Sequence, residues 1–225
     1  MIEKLNKNIS DFRKDTLAID DFLTGTLVSY GFFKSNYPEI LNKFRRRTWD
    51  SEEKEGMRIF DSLNSKLPEY ETDIYKFCFI NLIARTESFL NDIVETLYRC
   101  NYNELTNKEL EINESGEIDK TILKFSHFSF KDKIKFLKNR FNLTFPLIEE
   151  RYSDIVELFT ARNIILHNNG TINETYLKIN IDSKFEIGSK RTINKDYLKL
   201  TFILLIIIAK AIEEQIRLQL NNANS

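Results

Sequence analysis

Residues 78–97 (CFINLIARTESFLNDIVETL) carry the clearest helical pattern in the sequence. Their apolar side chains recur every three or four residues, a spacing that places them on one face of an α-helix. The pattern extends over residues 69–100 and follows Pro68, a residue type that interrupts helices. We therefore predict a long central helix that begins near Glu69 and packs against the rest of the chain.

The composition favours an all-α fold. The 225 residues include 42% hydrophobic and 12% aromatic residues, enough to bury a sizeable core. Because only 6 glycines and 3 prolines are present, few tight turns are expected, and the abundant Leu, Ile, Phe, Lys and Glu favour long helices. We predict an all-α helical bundle over residues 69–225 and a helical extension over residues 1–68.

Further helical patterns flank the central segment. They cover about residues 2–34, 129–141, 152–166 and 194–220. The last pattern contains the most apolar run of the chain, residues 202–209 (FILLIIIA), which we interpret as a buried core helix. Between Thr171 and Ile193 the β-branched residues alternate, which favours a short β-hairpin or an extended excursion that turns at Gly188.

Several classes of protein are disfavoured. Cys78 and Cys100 lack CxxC spacing, which argues against a zinc site or a disulfide framework. Residues 1–15 mix charges where a secretory signal has an apolar core, and residues 202–209 are far fewer than the roughly 20 that span a bilayer. We therefore expect a cytoplasmic protein that is not embedded in a membrane. The formal net charge of -1 argues against coating of nucleic acid, so any RNA contact must be local.

The residues with the clearest chemical potential are Arg162, Asn163 and His167, in the sequence RNIILH. The only other histidine, His127, is flanked by aromatic residues and is interpreted as a packing or loop residue. RNA cleavage needs a base for the 2′-hydroxyl proton, an acid for the leaving oxygen and a cation for charge on the phosphate. Histidine can act as base or acid near neutrality, and arginine offers a charged fork that matches a phosphate. This chemistry requires no metal and no other cofactor.

The spacing of Arg162 and His167 constrains how they act. Residues five apart on a straight helix point about 140° away from each other, so one helix cannot aim both directly at one phosphate. They converge if His167 lies in a fraying last turn, or if two copies of the helix meet across a twofold axis. We favour the second arrangement and predict a homodimer. Asn163 shares a face with His167, where its amide can orient the imidazole or hold a phosphate oxygen.

The RNIILH sequence resembles the R-x4-6-H motif of HEPN ribonucleases, which are helical bundles with the motif near the end of a late core helix. Residues 78–97 also resemble the long first core helix of these domains, which often bears an acidic residue, here Glu87. Many members have a similar RN-x3-HN sequence, so Asn168 joins Glu87 as a supporting residue. The resemblance covers about residues 69–220.

This resemblance implies metal-independent endonucleolytic cleavage of RNA that leaves a 2′,3′-cyclic phosphate, by a dimer that pools its two motifs. Such proteins often serve as toxins of toxin–antitoxin pairs or as anti-phage defence effectors, which implies a cognate antitoxin or a defence-system partner. Members that are neutralised by nucleotidylation carry a tyrosine where this chain has Asn169, so that regulation is not expected. The alternative is a HEPN-like bundle that acts as a non-catalytic binding or regulatory module.

Structural roles compete with these functional ones. Arg162 could form an ion pair with Asp154 or Glu157 instead of contacting RNA. Glu87 could position Arg162 in a cleft, or could pair within a structural network that includes Arg85. The sequence leaves both alternatives open.

Three lysines predict a further RNA contact. Lys131, Lys135 and Lys138 fall on one helix face, near Phe130 and Phe136. Such a face suits a groove that binds the RNA backbone and stacks its bases. A solvated lysine face is the alternative explanation.

Overall fold

The computed structural model describes residues 2–45, 50–100 and 117–223, and these residues form eight α-helices and no β-strand. The predicted all-α fold is therefore confirmed. In chain order the helices are α1 (Ile2–Arg45), α2 (Ser51–Cys100), α3 (Glu117–Ser126), α4 (Phe130–Phe141), α5 (Pro146–Glu150), α6 (Tyr152–Asn168), α7 (Glu174–Ile179) and α8 (Lys195–Ala223).

Helices α1 and α2 form an antiparallel pair, and each is roughly 65–75 Å long. Contacts along the whole pair fix their register. They join Asn8 Nδ2 to Thr96 Oγ1 (2.9 Å), the rings of Phe12 and Phe89 (4.6 Å between centroids), the rings of Phe22 and Phe77 (5.8 Å), and Tyr37 Oη to Asp61 Oδ1 (2.5 Å).

The predicted interruption at Pro68 is wrong, because α2 continues through this residue. Helix α1 likewise continues through Pro38. A proline inside a helix removes one backbone hydrogen bond and costs about 3 kcal/mol. Packing of α1 along α2 supplies the compensation that the local sequence lacks. The boundary at residues 68 and 69 consequently falls inside α2, and Leu5 and Ile9 of α1 are buried in the same core as the later helices.

The predicted central helix is confirmed over the second half of α2. Its apolar face is buried and contacts α1, α3, α4, α6 and α8. The fully buried members include Cys78, Phe79, Leu82, Ile83, Leu90, Ile93 and Val94. Burial raises the pKa of the Cys78 thiol to about 11, so this cysteine stays protonated at neutral pH.

Helix α8 is only partly the buried core helix that the sequence predicts. Leu204, Leu205 and Ile208 are buried, whereas Ile203 and Ile206 lie on the outer face with 56% and 55% of their surface exposed. Within the described ranges, no helix combines the length and apolarity that crossing a membrane demands.

The segment between Thr171 and Ile193 differs from the predicted hairpin. Its antiparallel pairing is limited to one bridge between Thr171 and Lys190, and the short helix α7 occupies the middle. The side chain of Asn173 caps α7 by accepting a hydrogen bond from the Tyr176 amide at 2.9 Å. The predicted turn at Gly188 is present, with a φ of +86°.

Helix α6 ends in a left-handed cap, as the Asn168–Gly170 sequence predicts. Asn169 has a φ of 46° and Gly170 a φ of 71°, and the Gly170 amide donates to the Ile164 carbonyl at 2.9 Å. A Cβ atom on Gly170 would lie 3.1 Å from the Arg191 carbonyl oxygen. This glycine therefore meets two requirements, a positive φ and close approach of another backbone.

We expect Gly170→Ala to destabilise the fold by about 1–3 kcal/mol, because alanine adds backbone strain and a contact with Arg191. Gly188→Ala is the matched control, since Gly188 has a positive φ but no neighbour within 4 Å of its added Cβ. Urea unfolding should therefore give a larger loss for Gly170→Ala. Equal losses would show that the close approach to Arg191 is unimportant.

Candidate functional site

Arg162 lies at the junction of α6 and α2, where it contacts Glu87. Its Nη2 is 3.5 Å from Glu87 Oε2, and its Nη1 donates to Asn163 Oδ1 at 3.1 Å. The Arg162 and Glu87 side chains keep 23% and 31% of their surface exposed. Among the described residues, the buried Nε of Arg162 has no acceptor. The guanidinium thus has a carboxylate and an amide as partners, and part of the Arg162 side chain reaches solvent.

His167 lies on the exposed surface at the end of the same helix. Within the part of the chain that the structure describes, no hydrogen bond joins His167 to Arg162 or Asn163. Asn168 serves the turn that follows, because its Nδ2 donates to the Thr171 carbonyl at 2.6 Å.

The structure decides between the alternative partners of Glu87 and Arg162. Arg85 pairs with Asp15 of α1, at 3.4 Å, instead of joining a network with Glu87. The alternative pairing of Arg162 with Glu157 is also not what is observed, because Glu157 binds other groups. Glu87 is the observed ion-pair partner of Arg162.

A buried lysine, Lys133 of α4, lies close to this ion pair. Its side chain is almost completely buried, and its Nζ donates to Asn91 Oδ1 at 3.0 Å and to the carbonyls of Phe125 (2.8 Å) and Ser126 (3.1 Å). The last two carbonyls belong to the C-terminal turn of α3, where helix carbonyls lack internal partners. Lys133 thereby joins α4 to both α2 and α3.

The charge of Lys133 is coupled to that of Glu87. Burial lowers the pKa of the Lys133 ammonium to about 8, and the Glu87 carboxylate opposes that shift. The ammonium form therefore persists at neutral pH, in agreement with its three acceptors. Together with Arg162, these groups place two cations and one carboxylate at the junction of α2, α4 and α6.

Sequence reasoning missed Lys133, although its position contained a clue. Phe130, Ile134, Leu137 and Phe141 form the buried face of α4. Lys133 lies three residues after the first of these and four before the third, so helical spacing places it on the apolar face. A lysine there must find acceptors inside the protein.

The three predicted RNA-binding lysines have different surroundings. Lys131 and Lys135 are exposed, whereas Lys138 pairs with Glu149 of α5. Phe136 is half-buried beside Lys135 in a shallow groove of about 520 Å³. Phe130 is unavailable for stacking on a base, because it is buried against Phe159 with 4.5 Å between ring centroids. His127 is exposed at the end of α3.

A second polar cluster surrounds Glu157 of α6. Its Oε1 accepts hydrogen bonds from Tyr176 Oη (2.5 Å) and Arg191 Nε (2.8 Å), and its Oε2 accepts one from Tyr197 Oη (2.5 Å). Burial and the Glu157 charge raise the pKa of Tyr197 well above its usual value. Because these partners come from α7, α8 and the segment between them, the cluster anchors this segment to α6.

A comparison of the chain with protein-family models, with curated proteins and with solved structures finds no match in any of the three. The assignment of a function therefore depends on the chemistry of the residues themselves. Among the described residues, no group of three or more His, Cys, Asp and Glu side chains is placed to hold a metal ion.

We expect Lys133→Met to destabilise the protein by about 3 kcal/mol, because it removes three hydrogen bonds from an ammonium and leaves the Asn91 amide oxygen and the Ser126 carbonyl without this donor. Lys135→Met is the matched control on the exposed side of α4 and should change stability by no more than about 0.5 kcal/mol. Urea unfolding followed by circular dichroism measures both. Similar stabilities of the two variants would mean that Lys133 does not hold α2, α3 and α4 together.

Proposed function

We propose that this protein is a metal-independent endoribonuclease whose chemistry is carried out by Arg162 and His167, with Asn163, Glu87 and Asn168 in supporting roles. The observation that carries the proposal is the environment of Arg162, whose guanidinium contacts Glu87 and Asn163 while its side chain remains partly exposed. An arginine held in this way can meet a phosphate without first losing the entropy of a mobile side chain. His167, on the open surface of the same helix, can reach a substrate.

The proposed reaction is an internal transesterification of RNA. The His167 imidazole removes the proton of a 2′-hydroxyl, and the 2′ oxygen then attacks the adjacent phosphorus. The bond from phosphorus to the 5′ oxygen breaks, the His167 imidazolium formed in the first step gives its proton to that oxygen, and a 2′,3′-cyclic phosphate remains. Arg162 stabilises the negative charge that develops on the phosphate oxygens. The proton that leaves the 2′-hydroxyl is thus passed to the 5′ oxygen by one His167, and no other reactant is consumed.

The positions of the two side chains support a homodimer. Arg162 points toward Glu87 on α2, whereas His167 lies on the exposed end of α6. Two α6 helices related by a twofold axis can bring Arg162 of one copy near His167 of the other. The lysines on the exposed side of α4, Lys131 and Lys135, are then candidates for contacts with the RNA backbone.

The biological setting rests on the resemblance of RNIILH to the HEPN motif. We infer a cytoplasmic toxin or anti-phage defence effector that acts on RNA, with a cognate antitoxin or a defence-system partner. The presence of a basic and partly exposed Arg162 site in a protein of formal net charge -1 supports local, not bulk, recognition of RNA.

A second candidate function is a non-catalytic binding or regulatory module. The observation in its favour is that Glu87 and Asn163 already provide Arg162 with partners, as in a structural ion pair between two helices. In that case the same residues would hold α6 against α2. The protein would not cleave RNA, so replacing His167 would change no such activity.

The decisive test is incubation of the wild type, Arg162→Ala and His167→Ala with total RNA in the presence of EDTA. We expect the wild type to cleave RNA, and each variant to lose about 100-fold or more of that activity because a general base or the charge-stabilising cation is missing. His127→Ala is the matched control, because it removes the other exposed histidine and should remain active. Helicity is checked by circular dichroism. Equal cleavage by all four folded proteins would contradict the proposed roles, and absence of cleavage by the wild type would favour the binding module.

Mixing the two inactive variants tests the dimeric site. A heterodimer of Arg162→Ala and His167→Ala retains one intact arginine and one intact histidine, on different copies. If these residues act across the twofold axis, the mixture regains cleavage that neither variant shows alone. Denaturation and joint refolding ensure exchange of subunits. A mixture with verified heterodimers and no activity would indicate that both residues act within one copy.

A further inference from the structure

The outer face of α8 combines exposed isoleucines with an ordered series of charges. At about 100° per residue, its central residues fall within about 60° of one another around the helix. They are Asp196, Lys199, Ile203, Lys210, Glu214 and Arg217, all of which are exposed. Ile206 borders this series and is 55% exposed, and Leu17 of α1 lies beside it, with 63% of its surface exposed.

The exposed apolar residues at the centre of this face are adjacent to one another and do not lie singly on the surface. Ile203 and Ile206 lie one turn apart, and both expose more than half of their surface. A groove of about 470 Å³ between α1 and α8 continues from Ile206 to Leu17. A contiguous apolar strip with charges at both ends is typical of a surface that binds another protein.

The order of the charges along α8 indicates that its outer face is complementary to the same face of a second copy. We consider two copies of α8 that pack antiparallel about a twofold axis between Ile206 and Ile207. A residue of one copy then lies opposite the residue of the other copy for which the two numbers add up to the same total as 206 and 207. Asp196 then faces Arg217 of the second copy, and Lys199 faces Glu214 of the second copy. Lys210 faces Ile203 of the second copy, where its aliphatic stem can pack on the isoleucine while its ammonium stays in water. The symmetry repeats both pairs, so four pairs of opposite charge flank the isoleucines. The face is self-complementary over about 32 Å.

The contacts that these side chains make within one copy do not prevent this pairing. Glu214 lies 3.8 Å from Lys210, and Arg217 lies 3.0 Å from Glu213, each four residues away on the same helix. Arg217 Nη2 also donates to Asn6 Oδ1 of α1 at 3.2 Å. The Lys210–Glu214 pair is exposed and contributes only about 0.3–0.5 kcal/mol, and Arg217 keeps 56% of its side chain exposed, so both Glu214 and Arg217 are accessible to another copy.

We propose that the outer face of α8 is a homodimer interface, in which two α8 helices pack antiparallel with Ile203 and Ile206 at the centre. Opposite charges at the ends fix the orientation and register, since a parallel or shifted arrangement would bring like charges together. This proposal does not rest on the ribonuclease function, because Arg162 and His167 lie on α6 and outside this face.

Charge reversal tests the register. Lys199→Glu places two carboxylates opposite each other at both symmetric positions, and we expect the dissociation constant of the dimer to rise about tenfold, equivalent to about 1.4 kcal/mol. Adding Glu214→Lys restores opposite charges, so the double variant should associate nearly as well as the wild type. Sedimentation velocity over a range of protein concentrations measures all three constants.

A substitution in the apolar centre provides the second arm. Ile203→Lys should weaken association at least as much as Lys199→Glu, since it places a charge at the centre of the contact. Ile181→Lys is the control, because Ile181 is 85% exposed but lies away from α8, and it should associate like the wild type. Circular dichroism establishes that each variant is folded.

The possible results separate clearly. Weakening by Lys199→Glu with recovery in the double variant supports antiparallel pairing of α8. A wild type that is monomeric at every concentration overturns the proposal. Association that is unaffected by Ile203→Lys assigns the contact to another surface, and failure of the double variant to recover overturns the antiparallel register.

Discussion

Burial of the apolar face of α2 determines the position of every major element around it. Five helices contact this face or its borders, namely α1, α3, α4, α6 and α8. Each fully buried Leu, Ile or Phe there contributes about 1.5–3 kcal/mol relative to an exposed one. Because such burial is favourable for each neighbour separately, the helices converge on one stretch of α2, and polar residues that border the stretch are brought into contact as a result.

The charges near Glu87 are a consequence of this convergence. Asn91 lies one turn after Glu87 on α2, and these two side chains contact Lys133 of α4 and Arg162 of α6 respectively. Removing such groups from water is costly, and apolar residues of similar size would often stabilise a helix junction equally well. Lys133 has a structural explanation in its three acceptors, whereas Arg162 is partly exposed and has one ion pair and one hydrogen bond. This difference makes Arg162 the better candidate for contact with a ligand.

Local sequence patterns predicted most of the helices but not the properties that arise from packing. The pattern over residues 129–141 and the Asn168–Gly170 cap correspond to α4 and to the end of α6, since spacing and backbone conformation are local properties. The continuation of α2 through Pro68 depends instead on the neighbouring α1. The proximity of Glu87 to Arg162 was one of two alternatives, and the burial of Lys133 was missed, because both depend on how separate helices meet.

Helix α8 shows why a run of apolar residues is an incomplete guide to burial. Residues 202–209 are apolar all round the helix, but α2 and its neighbours cover only the inner side, so Ile203 and Ile206 are left on the outer side. Exposed isoleucines favour association, and charges placed in a self-complementary order restrict that association to one orientation. A meeting of two α6 helices would use a different part of the surface. A chain with two different twofold contacts can assemble into a closed tetramer when the axes are perpendicular. The α8 face would then join two of the proposed α6-mediated dimers, without contributing Arg162 or His167 to either of them.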